Sequence, residues 1–222
     1  MTIEILTGVL ALAALVFSVS VFAARWTAMR KLPYGKDLSR PKDTPMRGVL
    51  YAFSLGMMPW AKESTRLHMV AYLRGIAFHI GIFAGLAALL ASPWFNLIPE
   101  IIRIPFAIIT GFGAVMGVAG GVMRVAEHNL KAISTPDDHA AVWLVSLFLA
   151  TVSLALMLPA FLPVLWLAAA AMLVYAPLGK IRHCIYFYFG RLFYGFHVGR
   201  RGVVRGLMAH AIPVRGEVTH GK

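Results

Sequence analysis

Cysteine is almost missing from this 222-residue chain, Cys184 being the single one. One thiol forms no internal disulfide, ligates no iron–sulfur cluster by itself and builds no Cys-only zinc site, so any such cluster must sit on a partner. Charge is scarce at 14% of residues, and acids are scarcer, with nine Asp and Glu against 21 Lys and Arg. The signatures of nucleotide enzymes and hydrolases are missing as well: no GxGxxG after a strand, no P-loop, no HExxH and no Gly-x-Ser-x-Gly. No strand-rich region and no second domain are visible, so residues 1–222 read as one domain. Histidine is absent from two long stretches, between Ile80 and Glu127 and between Ala140 and Arg182.

What is abundant is apolar. Hydrophobic residues make up 59% of the chain and the mean hydropathy is +0.75, too apolar for a soluble domain of this size. Several runs reach the roughly 20 residues needed to cross a bilayer. The net charge of +12 would point to nucleic acid in a soluble protein. Here the bases crowd into particular loops, as membrane topology demands, and nucleic acid is excluded as the partner.

The first apolar run, Ile3 to Ala24, begins beside Glu4 and stops at Arg25. A cleaved leader carries positive charge before its apolar core, so this segment reads as a retained span with its N-terminus outside. Residues 25–66 hold nine bases against three acids, the density of a cytoplasmic loop. Within them Gly48 to Trp60 is apolar, too short to span and interrupted by Pro59, which fits an interfacial or re-entrant segment, or one covered by a partner subunit. Further spans are expected at about 69–90, 104–123, 140–158 and 162–183, and the basic tail 184–222 returns to the inside. The sequence thus predicts an all-α membrane bundle of five helices, N-terminus out and C-terminus in, in the inner (cytoplasmic) membrane.

Two local patterns carry structure. Gly113, Gly117 and Gly121 lie on one face of the third span, where small residues admit either a close helix neighbour or a flat ring. Ser134-Thr-Pro-Asp-Asp138 is a helix start: Thr135 caps, Pro136 suits the first helical position, and Asp137 and Asp138 favour the positive end of the helix dipole.

Of the eight histidines, only His79 and His183 sit within or against long apolar windows. A histidine at the edge of hydrocarbon is costly without a partner and reads as functional by default. The second span runs outward with His79 five residues after Arg74, about 7–8 Å deeper than that base; the fifth runs inward and ends in Lys180, Arg182 and His183. Both imidazoles therefore reach nearly the same depth near the inner face, the arrangement of two axial ligands of one haem b, with the iron as the metal. Arg74, Lys180 and Arg182 flank the site at its watery edge, either as haem propionate contacts or as plain interfacial anchors.

The order of elements, FHIGIF on the second span, STPDD before the fourth and Lys-x-x-His closing the fifth (Lys180 to His183) resemble the nitrate reductase gamma subunit family of membrane cytochromes b, over residues 3 to about 202. The ending FHVGRRGVVRG is more similar to the branch associated with heterodisulfide-reductase-like and sulfate-reducer redox complexes. The resemblance implies a respiratory redox subunit, a quinone oxidoreductase component, that passes electrons between membrane quinone or quinol and a cytoplasmic iron–sulfur or heterodisulfide-reductase-like partner. It also implies that His79 and His183 hold the haem nearest that partner. The nitrate reductase type carries a second, outer haem with a histidine about ten residues further along the second span and another earlier on the fifth. This chain has Leu89 and apolar residues around Leu165 there, so no outer haem is expected. His68 and His197 lie 11 residues before His79 and 14 after His183, spacings that return to nearly the same helix face and make them the candidate ligands of a second, inner haem. His128, His139, His210 and His220 fall in loops or tail and are assigned no chemistry. The alternative from a different class is a haem-free anchor or small transporter with structural or proton-carrying histidines.

Overall fold

The computed structural model describes residues 3–33, 35, 37–61 and 63–211. Among them the secondary structure is helical throughout, without strands. The long helices are α1 (Ile3–Arg30), α4 (Met69–Ala91), α5 (Glu100–Ala126) and α7 (Pro136–Met157); each is long and apolar enough to cross a membrane. Two further helices, α8 (Leu162–Tyr175) and α9 (His183–Arg200), stand either side of a break and count as a fifth span only if taken together. Val9, Leu12, Val16 and Val19 of α1, and Phe83, Ile108 and Phe112 of α4 and α5, point outward. Such a surface is unstable against water and suits hydrocarbon, while the helices satisfy their own backbone groups. The chain is a multi-pass, all-helical membrane protein.

The expected spans differ from the helices at two points. α1 does not stop at Ala24 but continues through Arg25 to Arg30, because Lys and Arg are good helix formers whose stems can run along apolar surface while the charge stays in water. The fifth helix does not reach His183. It ends at Tyr175: Ala176 still has helical backbone, but Pro177 lacks the amide that would continue the ladder. The amides of Leu178 and Gly179 turn back to the Tyr175 carbonyl at 3.0 and 2.8 Å. The Tyr175 ring packs so closely on Gly179 that a Cβ there has no room. A short 3-10 turn, Lys180–Arg182, then leads into α9, whose first residue is His183.

The chain expected to be one domain divides into two compact units, one of Met1–Trp26 with Leu73–His183 and the other of Thr27–Tyr72 with Cys184–Lys222. In the first, α7 supplies the centre of the core. Phe148, Leu149 and Val152 have no exposed surface, and Leu165 of α8 joins them. α4 and α5 cross at glycine: a Cβ on Gly81 would stand 2.8 Å from the Gly113 Cα, and one on Gly113 would stand 2.8 Å from the Gly81 Cα. Of the two readings of the glycine stripe, helix packing is the one the structure adopts, with Ser146, Phe78 and Trp143 filling the space over Gly117 and Gly121. Polar ties add to it: Ser153 donates to the Ala107 carbonyl and Trp166 Nε1 donates to Ser92 Oγ, both at 2.8 Å.

The second unit contains α2 (Pro45–Phe53), two 3-10 turns (Leu55–Met57 and Pro59–Ala61), α3 (Glu63–Leu67), most of α9, and α10 (Val204–Ala211). No element within 45–67 is long enough to span, and Leu50, Phe53, Met57 and Trp60 are exposed there. Gly48 of α2 meets Gly195 and Gly199 of α9 with backbone against backbone. The Gly195/Gly199 spacing, in GFHVG, is a small-xxx-small pattern. Arg201 Nε donates to the Asp37 carboxylate at 3.1 Å, and Arg191 lies over the rings of Phe187 and Tyr194 while donating to the Ala52 carbonyl.

Candidate functional site: the paired histidines

His79 lies on α4, about 18 Å of helix short of its end at Ala91 and only five residues past Arg74. Its Nδ1–H donates to the Gly75 carbonyl at 2.7 Å. His183 opens α9, and its Nδ1–H donates to the Lys180 carbonyl at 2.9 Å. Since a carbonyl only accepts, both bonds select the Nδ1–H tautomer and leave Nε2 as the nitrogen with a lone pair. The two rings lie edge to face, with centroids 6.4 Å apart and planes at 84°.

That separation is informative. Two metal–imidazole bonds of about 2.0 Å plus roughly 1.1 Å from each nitrogen to its ring centre give about 6.2 Å between centroids. The distance also lies within the roughly 4.5–7 Å at which edge-to-face rings ordinarily pack, so it is the pairing of two histidines with both Nδ1 atoms tied back, together with the spacing, that marks the site. Among the described residues no group of three or more His, Cys, Asp or Glu is placed to hold a metal ion. A metal between His79 and His183 would therefore draw its remaining ligands from something other than the described His, Cys, Asp and Glu side chains. A planar macrocycle with four nitrogens fits that donor set, and a zinc- or iron-type all-protein cage does not. Gly75, one turn before His79, has open space where a side chain would project.

The flanking bases separate. Lys180 Nζ donates to Asp138 Oδ2 at 2.6 Å, so its ammonium is engaged there. Arg74 Nη1 reaches Met123 Sδ at 2.6 Å. Arg182 is half-buried and makes no ion pair among the described residues. Sequence reasoning missed Asp138 as a neighbour of this site. It recognised the acid as a helix-start residue, which it is: Thr135 and Asp138 form a reciprocal capping box.

His68 and His197 do not reproduce the arrangement. His197 is half-buried, its Nδ1–H donating to the Phe193 carbonyl at 2.9 Å and its ring 4.1 Å from that of Phe193. His68 is exposed, and among the described residues no ring contact joins the two. The bond from Nδ1 back to a carbonyl is thus common to three histidines, and what sets His79 and His183 apart is the spacing of their rings. His128 begins α6 (His128–Ile133), and His139 lies in the first turn of α7. The side chain of His210, and His220 entirely, lie outside the described residues.

Compared with known proteins, the chain matches no family model, no curated protein and no solved structure.

Proposed function

We propose that this protein is a membrane cytochrome b subunit, with His79 and His183 as axial ligands of one haem b that relays electrons between membrane quinone or quinol and an iron–sulfur or heterodisulfide-reductase-like partner on the cytoplasmic side. The observation that carries the reading is the 6.4 Å separation of two imidazoles whose Nδ1 atoms are both tied to backbone carbonyls. Bound there, haem would supply one-electron chemistry with both axial positions filled by protein. The chain's own residues supply the rest. The Gly75 and Lys180 carbonyls orient the rings and make them more basic, and Arg182 and Arg74 are the bases available to propionates.

The positive-inside rule puts the bases of 25–66 and 184–222 on the cytoplasmic face of the inner membrane, where they favour an acidic docking surface. With Leu89 and apolar residues around Leu165 where the resemblance would put an outer pair of ligands, we read one haem per chain, in the inner half of the bilayer. The test is pyridine haemochrome quantification on the purified protein and on His79→Ala and His183→Ala. The expected ratio is one haem per chain, falling to near zero in either variant while membrane insertion is retained. Absence of haem b from the wild type, or a normal low-spin spectrum in either variant, refutes the assignment. A ratio near two promotes His68 and His197 to ligands.

A further inference from the structure

The ring of His183 is held by a chain of contacts that begins on another helix. Asp138, in the first turn of α7, is 9% exposed, and its Oδ2 accepts from Thr135 N–H at 2.9 Å, Thr135 Oγ1 at 2.8 Å and Lys180 Nζ at 2.6 Å. Its other oxygen faces Arg124 at 4.0 Å. Next to it, Tyr175 OH donates to the carbonyl of Asp137 at 2.9 Å and to its carboxylate. The start of α7 therefore grips the chain on both sides of the break, at Tyr175 where α8 ends and at Lys180 beyond it. Lys180 is the residue whose backbone carbonyl receives the His183 Nδ1–H at 2.9 Å.

A capping box needs only its own two partners to close a helix end. The bond to Lys180 is surplus to that purpose, and it fixes the one residue that orients the His183 ring. Outer partners of a ligating imidazole set its tautomer, direction and basicity. We infer that Asp138 is a positioning residue for His183, acting through Lys180, so that the α7 start decides where the His183 Nε2 lone pair points. The inference rests on the reading of His183 as a ligand, and its consequence is that the acid of STPDD and the Lys-x-x-His turn work as one device.

Two variants separate this from a structural staple. Asp138→Asn keeps an acceptor for the Thr135 cap and removes the charge that holds Lys180; Lys180→Met leaves the cap intact and removes the ammonium. In haem-free protein, nitrogen NMR of the His183 ring is expected to show one Nδ1–H tautomer in the wild type and a mixture in both variants. Haem titration of the same proteins is expected to weaken 10–100-fold, as for other outer partners of metal-bound histidine. The low-spin g-values should shift, and the double variant should be no worse than either single one. Asp138→Glu should restore part of the loss. Tyr175→Phe, which cuts the neighbouring tie without touching Lys180, should leave tautomer and affinity unchanged. An unaltered tautomer and affinity in Asp138→Asn and Lys180→Met overturn the inference. A tautomer shift in a protein that takes up no haem at all leaves the clamp standing and removes the cytochrome reading instead.

Discussion

Replacing Gly81 by alanine tests the helix crossing that carries His79, which lies two residues before it. The new Cβ would stand 2.8 Å from the Gly113 Cα, with Leu149 Cδ1 at 3.4 Å and the Ile109 carbonyl oxygen at 3.5 Å. Unbonded carbons rest at about 3.5–4.0 Å, so α4 and α5 must separate by roughly 1 Å. The obstacle is backbone, which cannot swing aside. Overpacking of this kind costs about 1–3 kcal/mol, and the better helix propensity of alanine returns up to about 1 kcal/mol. A net loss of about 1–2 kcal/mol is expected for Gly81→Ala. Two other glycines on α4 serve as internal standards. A Cβ on Gly85 meets the tip of the Leu149 side chain at 2.7 Å, which can shift, so the loss there should be smaller. A Cβ on Gly75 meets nothing within 4 Å, so Gly75→Ala should be neutral or stabilising by up to about 1 kcal/mol. Reversible unfolding of the haem-free protein in mixed micelles measures all three. Equal stability of Gly81→Ala and Gly75→Ala would refute the backbone contact as the source of the tight crossing.

Gly48→Ala should disrupt the second unit more than Gly81→Ala disrupts the first, because the side chain would run into the backbone of both Gly195 and Gly199; limited proteolysis within 37–61 reports it, and unchanged resistance would count against that packing. Asp37 accepts from Ser39 Oγ at 2.7 Å and Ser39 N–H at 3.0 Å, and from Arg201 at 3.1 Å, which together hold its carboxyl well below the ordinary 3.8. A depressed carboxyl stabilises the folded form above its unfolded value and loses that contribution as pH falls through the folded one, so this clasp should persist at pH 4 and open only in stronger acid. Carbon NMR titration should find Asp37 still ionised at pH 3, with the midpoint rising toward 3.8 in Ser39→Ala; an ordinary midpoint in the wild type would contradict the geometry.

Much of this protein is local, and what is local was legible. A segment inside hydrocarbon must satisfy its own backbone, so an apolar run of about 20 residues is a helix whatever surrounds it, and α4, α5 and α7 fall where composition places them. The capping box at Thr135 and Asp138 is equally local, because its partners are three residues apart. The choice of His79 and His183 followed from two residues lying at the edges of apolar runs, and their depth from counting along helices. Only tertiary structure decided the rest, since it depends on how each helix is rotated about its own axis. That rotation sets Gly81 against Gly113 and Gly48 against Gly195. It also delivers Lys180 to an acid 42 residues earlier in the chain, which no helical period relates to it. The break after Tyr175 is intermediate: Pro177 announces it, but the turn is completed by a ring closing over Gly179 and a hydroxyl reaching Asp137, so the position and partners of His183 emerge only when α7 and α8 are packed together.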